Sequence, residues 1–214
     1  MITAVIFDLD GLLADTESLH LEAYQQVLVD YGIQIGEEEY AAWWIRDGKG
    51  IRDYITARQL PFNSDEIRRK KTAVYNTLVS AKAEPMPGAL ELLRRISPHK
   101  RLALATSSYA ESVTLVLSRL RIAHYFEVVA TRESAKKAKP SPDIFLSAAA
   151  ELGLPPAQCL VLEDAEKGVL AAAEAGMKCI AVPNRFTGNS DFSRATAMVA
   201  SLDDVTIELI DSLG

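Results

Sequence analysis

The sequence has little of what would mark a secreted, membrane-bound or nucleic-acid-binding chain. It has only two cysteines, Cys159 and Cys179, each inside a short apolar run. That spacing reads as two free buried thiols in a reducing cytoplasm, not as a disulfide framework. No apolar stretch approaches the roughly 20 residues a membrane helix needs. The opening run, Ala4 to Phe7, is broken too soon by Asp8 to read as a signal peptide. No long run of Lys and Arg occurs, and the formal net charge is -6, so a duplex nucleic acid is not an expected partner. There is no internal repeat or low-complexity tract. No segment advertises an assembly face, and a monomer is expected.

What remains is an ordinary globular composition over 214 residues, 49% hydrophobic and 24% charged. That suffices for one core with a modest insertion. Five short, nearly continuous apolar runs read as strands buried on both faces of a parallel sheet: Ala4 to Phe7, Leu102 to Ala105, Glu127 to Ala130, Leu160 to Leu162 and Cys179 to Val182. Helical patterns at Ser112 to Leu120, Ile144 to Leu152 and Gly168 to Ala175 alternate with the later runs. The expected fold is therefore α/β, a Rossmann-like doubly wound parallel sheet.

The first and second strands are far apart. The stretch between them has helical periodicity, with apolar faces at Leu19, Ala23, Val27 and Leu28 and at Ile51, Tyr54 and Ile55. It ends at the turn-rich Glu84-Pro85-Met86-Pro87-Gly88. A connection this long predicts an inserted subdomain. The expected division is a catalytic core over 1–14 and 86–214, with an all-helical cap over 15–85.

Polar residues cluster just past the predicted strands, where open parallel sheets bind ligands. The first strand is followed by Asp8 and Asp10, the second by Thr106-Ser107-Ser108, and the fourth by Glu163-Asp164; Lys139 lies in the segment after the third. Crowded carboxylates repel unless a cation joins them. Four acidic groups imply a hard divalent ion with oxygen ligands, and Mg²⁺ is the natural choice. Asp8 could then act as a nucleophile toward phosphorus, with Asp10 moving the proton. Lys139, the Thr106 hydroxyl and the N–H groups of Ser107 and Ser108 could hold the phosphoryl oxygens. Each piece alone has a structural explanation as a turn, a helix cap or a solvated charge; the combination does not.

The segment Phe7-Asp8-Leu9-Asp10-Gly11-Leu12-Leu13-Ala14-Asp15-Thr16-Glu17 resembles the first motif of the haloacid dehalogenase superfamily. Thr106 resembles its second motif, Lys139-Pro140-Ser141-Pro142-Asp143 its third, and Leu162-Glu163-Asp164-Ala165 through Gly168 its fourth. The helical insertion resembles the small cap of the branch holding β-phosphoglucomutase and phosphoglycolate-type phosphatases. The resemblance implies that Asp8 is the nucleophile and Asp10 the general acid/base. It also implies that Asp8, the Asp10 carbonyl and Asp164 hold Mg²⁺, with Glu163 a direct or water-mediated ligand. Thr106 and Lys139 would bind the transferring phosphate. Ala165 stands where many members carry Ser. The presence of Asp10 argues against dehalogenation.

For the substrate, the resemblance points to the cap. Thr16 and His20 are four apart and share a helix face; His20 matches a cap-facing histidine of the mutase-like members, or is a plain surface histidine. Lys49 and Arg52, in Arg46-Asp47-Gly48-Lys49-Gly50-Ile51-Arg52, could meet an anion, although the loop is one residue shorter than the mutase spacing. The expected activity is a Mg²⁺-dependent phosphatase for a small phosphorylated metabolite, of sugar phosphate or phosphoglycolate type. A β-phosphoglucomutase-type mutase is the nearest alternative. A binding module without catalysis is a third reading, and the acidic set weighs against it.

Overall fold

The computed structural model describes every residue from Met1 to Gly214. The chain opens with strand β1 (Ala4–Phe7). It then runs through helices α1 (Glu17–Leu28), α2 (Glu37–Tyr40), a π-helical continuation (Ala41–Arg46), α3 (Ile51–Ala57) and α4 (Ser64–Lys82). It returns through α5 (Ala89–Ile96) to β2 (Arg101–Ala105), followed by α6 (Ala110–Leu120) and β3 (Val128–Ala130). The remainder is α7 (Asp143–Leu152), β4 (Cys159–Glu163), α8 (Glu166–Glu174), β5 (Lys178–Ala181), β6 (Ala197–Met198) and α9 (Ile207–Ser212).

The six strands form one parallel sheet in the order β3-β2-β1-β4-β5-β6. The five expected strands are present, each within a residue or two of its predicted bounds. β6 has no counterpart among the expected runs; it is a two-residue edge strand set by the Thr196 and Val199 N–H groups bonding Cys179 and Ala181 carbonyls. Successive side chains of a strand face opposite sides. Val5 and Phe7 accordingly join a core with Leu92, Leu93 and Ile96 of α5 and Val116 of α6, while Ala4 and Ile6 join a second core with Phe145 and Ala148 of α7 and Val169 of α8. Helices on both faces explain why the strands read as continuous apolar runs. Cys159 and Cys179 are buried and free.

The helical insertion is not a separate body on a loose tether. Leu19 and Ala23 of α1 and Tyr75 and Val79 of α4 belong to the same apolar core as Val5 and Phe7. The two connecting segments pair with each other: Asp15 N–H donates to Glu84 O (3.0 Å), and Met86 N–H to Leu13 O (3.0 Å). The far ends of these helices enclose their own core, built on Tyr24, Leu28, Tyr40, Ile45, Ile51, Tyr54 and Ile67. No helix is long and apolar enough to cross a membrane.

Candidate active site

Register places the chemistry. Phe7 pairs with Leu104 on one side and Leu162 on the other, so Asp8 lies level with Ala105 and Glu163 at the carboxyl edge of the sheet. Lys139 reaches this point from the loop before α7. Its Nζ donates to Asp8 Oδ1 (2.5 Å), Glu163 Oε1 (2.6 Å) and Ala105 O (3.1 Å). All three ammonium donors are therefore used. Although buried, Lys139 is held firmly protonated, because the Asp8 and Glu163 charges outweigh burial.

Asp10 is held differently. Its Oδ1 accepts from the Thr16 hydroxyl (2.6 Å), and its Oδ2 from the hydroxyls of Ser108 (2.6 Å) and Thr106 (3.1 Å). His20 Nε2 stands 3.7 Å from Oδ1. Burial alone would raise the pKa of Asp10, but these donors outweigh it and keep the group a carboxylate, well below its usual range. The Ser108 N–H is spent on Thr106 Oγ1 (3.0 Å), so it is not one of the free phosphate donors that the sequence suggests.

Gly11 makes this turn possible. Its φ is +81°, and a Cβ there would lie 2.6 Å from Asp164 Oδ2 and 2.7 Å from Asn184 Nδ2. Glycine is the residue that tolerates both the backbone sign and the close approach.

The cap covers the site. Asp8, Asp10, Thr106, Ser107, Lys139, Glu163, Asp164 and His20 line one cavity of about 210 Å³. Thr16 is buried behind it as a donor to Asp10. The expected core residues are thus brought together. Two expected cap residues are not: Lys49 and Arg52 are exposed and line no part of the cavity. Lys49 instead pairs with Asp47 (2.7 Å) and lies over the Trp43 ring. Lys49 lies in the short segment between the π-helical stretch and α3, and Arg52 in the first turn of α3.

In their place the cavity carries Glu17, Tyr24, Tyr40, Trp44, Lys71 and Lys167. Lys71 Nζ lies against His20 Nδ1, and His20 stacks on Tyr75 with ring centroids 3.9 Å apart. Burial lowers the pKa of Lys71 to about 8. Burial and then the Lys71 charge lower that of His20, so the imidazole is neutral. A signal for Lys71 exists in the sequence: Ile67, Lys71, Tyr75 and Val79 are spaced four apart, which puts a lysine inside the buried stripe of α4. Trp43 and Trp44 both pack in the cap core, Trp44 against Tyr24 with centroids 4.8 Å apart.

The donor set fits Mg²⁺. No three His, Cys, Asp or Glu side chains form a cage by themselves. Both Glu163 oxygens are engaged, Oε1 by Lys139 and Oε2 by the Ala165 N–H (3.0 Å). The Asp10 carboxylate faces the hydroxyls. Asp8 and Asp164 remain. Burial, then the Glu163 and Asp8 charges, push the Asp164 carboxyl well up; burial first, with Glu163 and Asp10 adding, pushes Asp8 up to about 7 against the pull of Lys139. One lysine shared by Asp8 and Glu163 leaves excess negative charge at Asp8 and Asp164, which suits a cation that takes one or two carboxylates and keeps its remaining waters.

A Rossmann-order sheet with Asp8, Thr106, Lys139 and Asp164 at one edge under a helical cap defines a hydrolase class. The chain belongs to the haloacid dehalogenase-like hydrolases, whose sequence profile matches residues 5–182. It is 32% identical to the fructose-1-phosphate phosphatase YqaB of Escherichia coli over 184 residues, 83% of this chain and 95% of that one. Among solved structures it resembles CbbY of Rhodobacter sphaeroides in complex with xylulose-(1,5)bisphosphate (30% identity, TM-score 0.85, 95% of this chain and 96% of that one). It also resembles the β-phosphoglucomutase of Clostridium difficile (27% identity, TM-score 0.82, 100% and 97%).

Proposed function

We propose that this chain is a Mg²⁺-dependent phosphatase of a small phosphorylated sugar-type metabolite, working through a phosphorylated Asp8. The observation that carries the reading is the pairing at Asp8: one carboxylate oxygen is fixed by Lys139 at 2.5 Å, and Asp10, two residues on, is gripped by three hydroxyls. The relatives' names support the substrate class. The cavity of about 210 Å³ admits a small metabolite and no polymer.

The chemistry follows from the residues. An Asp8 oxygen attacks phosphorus as the ester P–O bond breaks. The leaving oxygen takes a proton from Asp10. Asp10 rests as a carboxylate, so it must first gain that proton; an anionic phosphate arriving beside it raises its pKa and favours this. Water then attacks phosphorus, gives its proton to Asp10, and the bond to Asp8 breaks, releasing phosphate. Lys139 keeps Asp8 oriented and offsets the charge that grows on the phosphoryl oxygens. Asp8, Asp164 and the Asp10 carbonyl would hold Mg²⁺, which when bound supplies further neutralisation of those oxygens. The Ser107 N–H would hold the phosphate, joined by the Thr106 hydroxyl when it turns from Asp10, to which it donates at rest. The cap excludes bulk water.

A mutase reading is favoured by one contact, that of His20 with Asp10. The outward position of Lys49 and Arg52 weighs against it. A phosphate-release screen over fructose 1-phosphate, glucose 1-phosphate and phosphoglycolate, with Asp8→Asn as blank, tests the proposal. Release above the blank is expected. Conversion of glucose 1-phosphate to glucose 6-phosphate without release would favour the mutase.

A further inference from the structure

Two residues from outside the helical insertion, Ala165 and Phe186, complete the cap's apolar core. Phe186, in the loop after β5, is buried among the cap residues, with its ring edge-on to Tyr40 at a centroid separation of 6.1 Å. Its neighbour Arg185 donates to Ser18 Oγ of α1 (2.9 Å), and Ser18 in turn donates to Asp15 (2.5 Å) in the connecting segment.

The same loop is anchored at its other end in the acidic site. Asn184 Nδ2 donates to Asp164 Oδ2 (2.8 Å) and to Gly11 O (2.9 Å). Asn184 Oδ1 accepts from the Phe186 N–H (2.8 Å). The turn is stiffened by the buried Thr187, whose Oγ1 accepts from Asn184 N–H (2.9 Å) while its N–H bonds back to Asn184 O (3.1 Å). One short, internally bonded turn therefore touches the Asp164 carboxylate with one residue and the cap's aromatic core with the next but one. A rigid link with two fixed ends transmits position.

The geometry points to Asn184 and Phe186 as positioning residues for the reaction: a strut by which the setting of Asp164 and the seating of the cap over the substrate become one event. Neither residue touches the reacting atoms. Asn184 orients Asp164; Phe186 holds Tyr40, and through it Trp44 (centroids 5.6 Å apart), over the cavity. The inference rests on the proposed Mg²⁺ role of Asp164.

The test uses the full chain and does not need the substrate. Both tryptophans, Trp43 and Trp44, are in the cap, so intrinsic fluorescence reports on the cap alone. Mg²⁺ is titrated by calorimetry and by fluorescence in parallel. Wild type is expected to bind Mg²⁺ with a matching change in tryptophan emission. Phe186→Ala is expected to bind Mg²⁺ within about twofold of wild type but to lose the emission change. Asn184→Ala is expected to bind Mg²⁺ about tenfold more weakly. Arg185→Ala, at an exposed position, should reduce the emission change without removing it. With substrate, Phe186→Leu should raise KM more than it lowers kcat, since the chemistry at Asp8 is intact.

No Mg²⁺ heat with wild type would overturn the metal reading itself. Mg²⁺ binding with an unaltered emission change in both Phe186→Leu and Arg185→Ala would overturn the strut and leave the metal reading standing.

Discussion

Gly168 lies so close beneath Glu163 that a methyl group in place of its hydrogen would overlap the Glu163 carboxylate. The contact matters because Glu163 is the second anion on Lys139, and Lys139 fixes Asp8. A glycine in α8 thus bears on the position of Asp8, the proposed nucleophile, through two ionic contacts.

Gly168→Ala tests that chain of contacts. Helix propensity alone would favour alanine. Overpacking against a buried carboxylate should win, costing about 1–3 kcal/mol. The expected result is a lower melting temperature together with a fall of at least about tenfold in phosphate release. A stabilised, fully active variant would break the link between Gly168 and Lys139.

Lys139→Met should be worse than a catalytic knock-out. It leaves Asp8 and Glu163 buried without their cation, a loss of about 3–5 kcal/mol by analogy with broken buried pairs. Lys139→Arg should not restore activity, because a planar guanidinium does not reproduce three donors aimed at Asp8, Glu163 and Ala105. Thermal melting and phosphate release read the two effects separately.

The metal-free protein should lose stability as pH rises through the window from about 4 to about 7. The sign follows from Asp8, raised from 3.8 to about 7 in the fold, and from Asp164, raised as well. Within that window the folded state binds more protons than the unfolded one, so stability falls with rising pH. Asp10 works the other way only below its ordinary value of 3.8, and His20, lowered from 6.5, works the other way in the upper part of the window, one group against the two carboxyls. Mg²⁺ should therefore raise the melting temperature more at pH 8 than at pH 5. An equal rise at both pH values would contradict the assignment of Asp8 and Asp164 as the carboxylates with unmet charge.

Lys71 should impose an alkaline limb on binding. Its pKa of about 8 means that the cap's cation fades as pH rises through that value. KM for an anionic substrate is expected to climb above pH 8 in wild type. Lys71→Arg, which stays charged, should flatten the climb; Lys71→Gln should start from a high KM and show none.

Lys49→Ala and Arg52→Ala are expected to change kcat/KM by less than about twofold, since both side chains are exposed and outside the cavity. A larger loss in either would mean that the loop swings inward when substrate binds.

How much of the molecule is legible in the sequence depends on the signal each residue leaves. Strands buried on both faces leave continuous apolar runs, so β1 to β5 are legible, and with them the edge where Asp8, Thr106, Lys139 and Asp164 meet. The two-residue β6 has no such run; its pairing comes from a neighbour and not from its own composition. Glu163 and Asp164 are adjacent acids, and whether each faces a metal or a lysine is decided by side-chain direction, which the sequence does not carry. Tyr24, Tyr40 and Trp44 pack in the cap core and also line the cavity, a double role that leaves no separate signal in the sequence. Lys71 is visible only as a lysine out of place in an apolar stripe. Lys49 and Arg52 stand out because their loop is glycine-rich, but the helices around that loop determine its direction.

In the proposed reaction Asp8 accepts the phosphoryl group, and the most direct measurement is its capture. Protein turning over a phosphorylated substrate with Mg²⁺ is quenched in acid, digested, and the peptide spanning Asp8 is weighed. The predicted result is the added mass of one phosphoryl group on that peptide in wild type and none in Asp8→Asn, which should also release no phosphate. Phosphate release by Asp8→Asn at the wild-type rate, with no modified peptide in either protein, would contradict it.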